Sequence, residues 1–253
     1  FVYPWEGTTV IGTTDLDHDD DLDLEASISE QEVDYLLKAF NSQFPNNELK
    51  HSDVLSTWAG VRPVIGAEKS KDPSKERRDH AVWSDNGLIT VSGGKLTTFR
   101  LIALDALAAA KDNLPTAKEF VDDRVFSTPK MSAQSLAPEN HSWGQRLLGR
   151  YGEKALDLAN ESSLEDQQNL GDTEFSLAEC KWAVQHEAVE HLDDLLLRRT
   201  RLGMCLPNGG ITLYPALKDI FSTNRSWDDE RWQKEVNRYE KIWKNHYSIP
   251  SNS

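Results

Sequence analysis

Gly93-Gly94-Lys95-Leu96-Thr97-Thr98-Phe99-Arg100 sets a bare backbone, a cation and two hydroxyls at the mouth of a helix. Upstream, Leu88 to Ser92 alternates and β-branches as a strand does. Downstream, Leu101, Ile102, Leu104, Ala106, Leu107 and Ala110 keep the spacing of an amphipathic helix. Two glycines let a ligand approach the main chain closely, and the N–H groups of a first helical turn favour negative or carbonyl-like atoms. Lys95 adds a mobile point charge. These eight residues alone leave two readings open: a ligand-facing turn, or a tight strand-to-helix connection whose lysine is solvated.

Working outward, Gly12-Thr13-Thr14-Asp15 comes first, then Trp58-Ala59-Gly60-Val61-Arg62-Pro63, then Arg77-Arg78-Asp79-His80, and then the Gly-Gly-Lys turn. Leu147-Leu148-Gly149-Arg150-Tyr151-Gly152 and the segment from Glu187 to Gly203 follow. In this order the segments resemble the FAD-dependent glycerol-3-phosphate dehydrogenases and their oxidase relatives, of the D-amino-acid-oxidase-like flavoprotein class. The likeness runs to about residue 205, and each motif alone is weak.

The G-x-G-x-x-G turn that seats an FAD pyrophosphate occurs nowhere in the chain. The chain opens inside an expected strand, Phe1-Val2-Tyr3-Pro4-Trp5, turns at Glu6-Gly7 and returns over Thr8 to Ile11. It reads as the C-terminal portion of a larger flavoenzyme, without the pyrophosphate half of the cofactor site and inactive by itself.

The expected fold is α+β: a partial antiparallel substrate-side sheet, then an all-helical C-terminal domain. Residues 1–112 form the C-terminal part of an FAD- and substrate-binding domain, 113–142 a linker, and 143–253 the helical domain. Ser29 and Glu32 make a capping box for a helix over residues 30–44, with Val33, Leu36, Leu37 and Phe40 as its apolar stripe. Residues 121–126 read as a short strand or an extended loop. Helices are expected over 144–151 and 153–159, punctuated by Gly152. Ser176 and Glu179 cap a long helix carried by Leu177, Cys180, Val184, Ala188, Leu192, Leu195 and Leu196 toward Gly203. The last helices cover 214–221 and 228–243.

With 28 basic against 42 acidic side chains and a net charge of -14, the surface repels a nucleic-acid backbone. No apolar run is long enough to cross a bilayer, and no signal peptide is visible. Cys180 and Cys205 follow no metal-ligand spacing and suit a reducing, cytoplasmic compartment.

Oxidising a secondary alcohol beside a phosphate requires positive charge, a hydride acceptor and a base. Arg62 and Arg78 suit the first, because a guanidinium forks onto phosphate oxygens in a fixed plane. Taken singly, each also fits an ordinary surface ion pair in an acidic protein. The resemblance implies that Arg62, Arg78 and Lys95 are catalytic residues facing glycerol phosphate beside the flavin. It implies that Gly93, Gly94, Lys95, Leu96 and Thr97 line the ring and ribityl chain. It gives His80 a supporting role and places the catalytic histidine upstream of this chain. Substrate and cofactor are then glycerol 3-phosphate and FAD, with quinone as final acceptor and a parent peripheral to the cytoplasmic membrane face. The alternatives are an oxidase using oxygen and a non-catalytic helical interaction module.

Other patterns fail inspection. Asp15-Leu16-Asp17-His18-Asp19-Asp20-Asp21 begins like a calcium loop, but Asp20 and Ala26 stand where Gly and a bidentate Glu are required. His186-Glu187-Ala188-Val189-Glu190-His191 matches neither zinc-protease arrangement, and i,i+4 ion pairs His186–Glu190 and Glu187–His191 are expected instead. Arg198, Arg199 and Arg201 complement a helix C-terminus. Trp227, Trp232, Tyr239, Trp243 and Tyr247 read as packing residues.

Overall fold

Ser29 begins the first helix as its sequence requires: its hydroxyl accepts from the Glu32 amide, and the Glu32 carboxylate accepts from the Ser29 amide at 2.9 Å. The resulting helix α1 (Glu30–Gln43) buries Val33 and Leu37. In the computed structural model, residues 1–62, 80–114 and 130–250 are described. Before α1, strands β1 (Val2–Trp5) and β2 (Thr8–Ile11) pair antiparallel, Tyr3 opposite Val10. Glu6 and Gly7 both lie in the left-handed region, as a two-residue hairpin turn demands. A second antiparallel pair, β3 (His80–Asp85) with β4 (Leu88–Gly93), is followed by α2 (Phe99–Ala109). The remaining helices are α3 (Ala133–Leu136), α4 (His141–Tyr151), α5 (Ala155–Asn160), α6 (Leu177–His186), α7 (Leu202–Cys205), α8 (Tyr214–Arg225) and α9 (Asp229–His246). The fold is α+β, with antiparallel hairpins and a helical C-terminal region.

Two compact units emerge, cut differently from the division at 113–142. One holds Phe1–Thr14, Leu22–Gly60 and Phe126–Ser253; the other holds Asp15–Asp21 and Val61–Val125. The β1–β2 hairpin joins the helical region because Arg146 Nη1 donates to Glu6 at 3.0 Å and its Nε to Glu179 at 3.1 Å. Arg150 reaches Glu6 at 3.2 Å, and both guanidiniums cover the Phe175 ring. Glu179 is fully buried and also caps α6 through the Ser176 amide, 2.9 Å away. Burial alone would lower the Arg146 pKa, yet the Glu179 and Glu6 carboxylates hold it above its ordinary value. Part of the expected linker is folded: Ser132 caps α3, and Ala133 and Ala137 are buried.

The apolar core of this unit gathers Phe175, Leu192, Leu195, Leu196, Leu202, Leu217, Phe221 and Tyr239. Each fully buried leucine contributes about 1.5–3 kcal/mol. A second cluster packs Trp143, Leu147, Leu158 and Trp182. Trp227 stacks on Phe221 at 4.2 Å, Tyr239 donates to the Gly209 carbonyl and Trp243 to the Gly203 carbonyl. These aromatics pack, as expected.

The long helix from Ser176 does not continue to Gly203. Helix α6 ends at His186, Ala188 turns left-handed, and a π-helical turn at Asp194–Arg199 follows. Asp194 supplies the reason by accepting from the Glu190 and His191 amides, while Arg199 Nε donates to the Glu187 carbonyl at 2.6 Å. Side chains thus satisfy backbone groups that a continuous helix would have paired. The apolar spacing survived because Leu192, Leu195 and Leu196 stay in the core. The two i,i+4 ion pairs are lost with the helix. His186 instead lies 3.5 Å from Glu161, and His191 lies 3.0 Å from the buried Glu235. Arg198 pairs with Asp193, and Arg198 and Arg199 stand in the last turn of the π-helical segment, as expected of cations at a helix end.

Candidate functional site

The second unit contains the Gly-Gly-Lys turn. Its hairpin closes on Asn86 and Gly87, both at positive φ, and the ladder runs from Asp85–Leu88 to His80–Gly93. Asn-Gly between alternating segments is the hairpin signal that would have located β3, which sequence reading left out. Gly93 and Gly94 follow at φ 75° and 92°. Glycine is required at 94 on two counts, since a Cβ there would stand 2.5 Å from Ile102 Cδ1.

Lys95 then returns to extended geometry, and Leu96–Thr98 form a 3-10 turn leading into α2. Thr98 locks the corner: its hydroxyl accepts from the Lys95 amide at 3.3 Å and donates to the Lys95 carbonyl at 3.0 Å. Lys95 and Thr97 are exposed, and Leu96 is 88% exposed. Among the described residues, Lys95 Nζ has no ion-pair partner. The turn therefore offers an unengaged cation, a hydroxyl, a bare backbone and an uncovered apolar side chain.

Arg62 lies in the same unit, with Nη1 3.4 Å from Asp15 Oδ2. Both groups are substantially exposed, so the contact is worth about 0–1 kcal/mol and leaves the guanidinium available to a better anion. No hydrogen bond or ion pair joins Arg62 to the Gly93–Thr97 turn among the described residues. Arg78 and Pro63 lie outside the described residues, as does the expected strand over 121–126. Thr14, beyond β2, donates to the Glu32 carboxylate at 2.5 Å and ties the Gly12–Thr14 segment to α1. Burial tends to raise the Glu32 pKa, but the hydroxyl and amide donors of Thr14 and Ser29 bring it below its ordinary value.

Sequence reading missed Asp105, whose Oδ2 lies 2.6 Å from His80 Nε2. Nothing in linear spacing relates residues 80 and 105; only the packing of α2 on the hairpin brings them together. The cysteines offer no nucleophile. Burial drives the Cys180 thiol pKa well above its ordinary value, and burial with the Glu6 charge pushes that of Cys205 up to about 11.

Residues 1–100 match the family model for FAD dependent oxidoreductases, and 123–232 match the C-terminal domain of alpha-glycerophosphate oxidase. A glycerol-3-phosphate dehydrogenase of Mycobacterium leprae is 32% identical, covering 94% of this chain and 43% of its own length. The aerobic glycerol-3-phosphate dehydrogenase of Bacillus subtilis is 28% identical over 96% of this chain and 47% of its own length. Among solved structures, the glycerol-3-phosphate dehydrogenase of Bacillus halodurans complexed with FAD aligns with a TM-score of 0.68. It is 25% identical, over 96% of this chain and 49% of that one. The chain thus spans less than half the length of these curated relatives. No described helix is long and apolar enough to cross a membrane.

Proposed function

We propose that the chain belongs to the FAD-dependent glycerol-3-phosphate dehydrogenase family and forms the ring- and substrate-facing part of a flavoenzyme oxidising sn-glycerol 3-phosphate to dihydroxyacetone phosphate. One observation supports this most: the paired left-handed glycines open directly onto the unengaged Lys95, the exposed Leu96 and the Thr97 hydroxyl. These groups fit the ring and ribityl chain of FAD, which when bound supplies the hydride acceptor. Gly93, exposed and at positive φ, would let a planar ring reach the main chain, while the place of a Cβ at Gly94 is taken up by Ile102 and His80. Leu96 gives it an apolar neighbour, and Thr97 a hydrogen-bonding hydroxyl.

In this reading Arg62, Arg78 and Lys95 hold the substrate. A dianionic phosphate attracts a guanidinium more strongly than one exposed carboxylate does, so Arg62 exchanges Asp15 for it. Lys95 would meet the bound substrate from the turn and help hold it beside the flavin. Quinone is the proposed final acceptor, which implies a cytoplasmic enzyme lying peripherally on a membrane. The oxidase-type model matched by residues 123–232 favours oxygen as the second reading.

Anaerobic addition of sn-glycerol 3-phosphate to the flavin-loaded protein carrying this chain tests the proposal. Bleaching of the flavin absorbance is expected, and its absence refutes the substrate. Reoxidation by a soluble quinone faster than by air is the expected result for the first acceptor; the reverse order establishes the oxidase.

A further inference from the structure

The second unit has a weakness that its sequence does not reveal: no side chain of α2, β3 or β4 is buried. Apolar packing holds α2 only in part, its Ile102, Leu104 and Leu107 being half-buried, and the two glycines at its mouth have more backbone freedom than any other residue type. Three contacts converge there. His80 is the ladder partner of Gly93. Its Cβ lies 3.2 Å from the place a Gly94 Cβ would take, and Ile102 Cδ1 lies 2.5 Å from the same point. The His80 ring then reaches along α2 to Asp105, with Nε2 and Oδ2 2.6 Å apart. Ile102 and Asp105 are three residues apart and share one helix face. One face of α2 thus grips both the start of β3 and the glycine turn.

We propose that Asp105 is a positioning residue for the flavin-facing turn, acting through His80 to hold Gly93-Gly94-Lys95 in one arrangement. The proposal rests on the function assigned above. Asp105 does not touch the turn itself. It fixes the imidazole and with it the His80 side chain, whose Cβ together with Ile102 crowds the place beside Gly94. The His80 side chain is 22% exposed and its partner 60%. The tie is therefore of intermediate strength: enough to narrow the turn's ensemble without fixing the whole unit.

The test compares the full chain with Asp105→Asn, Asp105→Glu, His80→Gln and the double variant Asp105→Asn/His80→Gln. Two readouts are followed: hydrogen exchange of the amides over residues 94–99, and FAD affinity by fluorescence titration. Asp105→Asn is expected to speed exchange in that window by roughly three- to tenfold and to weaken FAD by a similar factor. Asp105→Glu restores a carboxylate and is expected to recover part of both. The double variant is expected to be no worse than the poorer single one, because residues acting through one contact are not additive. Unchanged exchange in Asp105→Asn, or additive losses in the double variant, overturns the proposal. So does an Asp105→Asn chain that binds FAD as tightly as wild type. Where the wild-type chain by itself binds no FAD, the affinity comparison is made in the flavin-loaded protein that carries it, and the exchange comparison alone decides whether the tie holds the turn. Failure of the functional reading is read separately, from the absence of flavin bleaching by glycerol 3-phosphate.

Discussion

Replacing Arg146 with methionine tests how the hairpin and the helical region are held in one unit. The Arg146 side chain is 9% exposed, and it lies between Glu179 at 0% and Glu6 at 6%. Methionine preserves most of the aliphatic volume, so the loss is electrostatic rather than a cavity. Glu179 would keep the Ser176 amide and hydroxyl at 2.9 and 3.1 Å, with Arg150 3.7 Å away. Breaking a buried pair from one side costs about 3–5 kcal/mol, and the remaining Arg150 places this case near ~3 kcal/mol. At ~2–4 °C per kcal/mol for a chain of this size, the main thermal transition falls by about 6–12 °C. Melting followed by circular dichroism, with urea midpoints as a second measure, reads the effect. The diagnostic partner is Arg146→Met/Glu179→Gln. A neutral amide can still accept from the Ser176 amide and needs no counter-charge, so at least half the loss returns. A single variant melting within ~2 °C of wild type, or a double variant no more stable than the single, would refute the reasoning.

Four further outcomes are expected. Asp193 and Asp166 have pKa values below the ordinary carboxylate value: burial opposes this, but Arg198 and Arg238 hold the first and Lys181 the second. Their stabilisation is complete above the unfolded value of about 3.9 and is lost as pH falls through the lower folded values. Urea midpoints should drop steeply in that acid window, and Asp193→Asn should flatten the fall. Neither thiol should react with a disulfide reagent at pH 8 in the folded chain, and both should react in urea; rapid labelling of the folded protein would contradict their burial. Gly94→Ala should destabilise the second unit by ~1–2 kcal/mol through its φ of 92° and the clash with Ile102, and should weaken FAD binding in titration. In the flavin-loaded protein, Arg62→Ala and Arg78→Ala should each lower kcat/KM for glycerol 3-phosphate by about 10²-fold or more. Normal values in both would remove these arginines from the substrate site.

Local rules recovered most of the elements. The Ser29–Glu32 and Ser176–Glu179 capping boxes, the Glu6-Gly7 turn and the start of α9 at Asp228 each depend on residues within four positions. Errors arose where distant groups intervened. The pattern from Leu177 to Leu196 has helical spacing, yet the backbone breaks at Ala188 because Asp194 and Arg199 capture its amides and carbonyl. The attachment of the hairpin to the helical region was likewise not legible, because Glu6 and Arg146 are 140 residues apart. For the candidate site, the contiguous Gly93–Thr97 turn was legible, while Asp105 was not.

By itself the sequence determined the α+β character, the helix starts, the glycine turn with its cation, and the family order of motifs, because caps, turns and periodicity act over a few residues. Tertiary structure alone decided which charges are buried together, where α6 stops, and which side chains bear on Gly94. Those outcomes turn on desolvation and on the pairing of buried polar groups, and both are set by what lies nearby in space rather than along the chain.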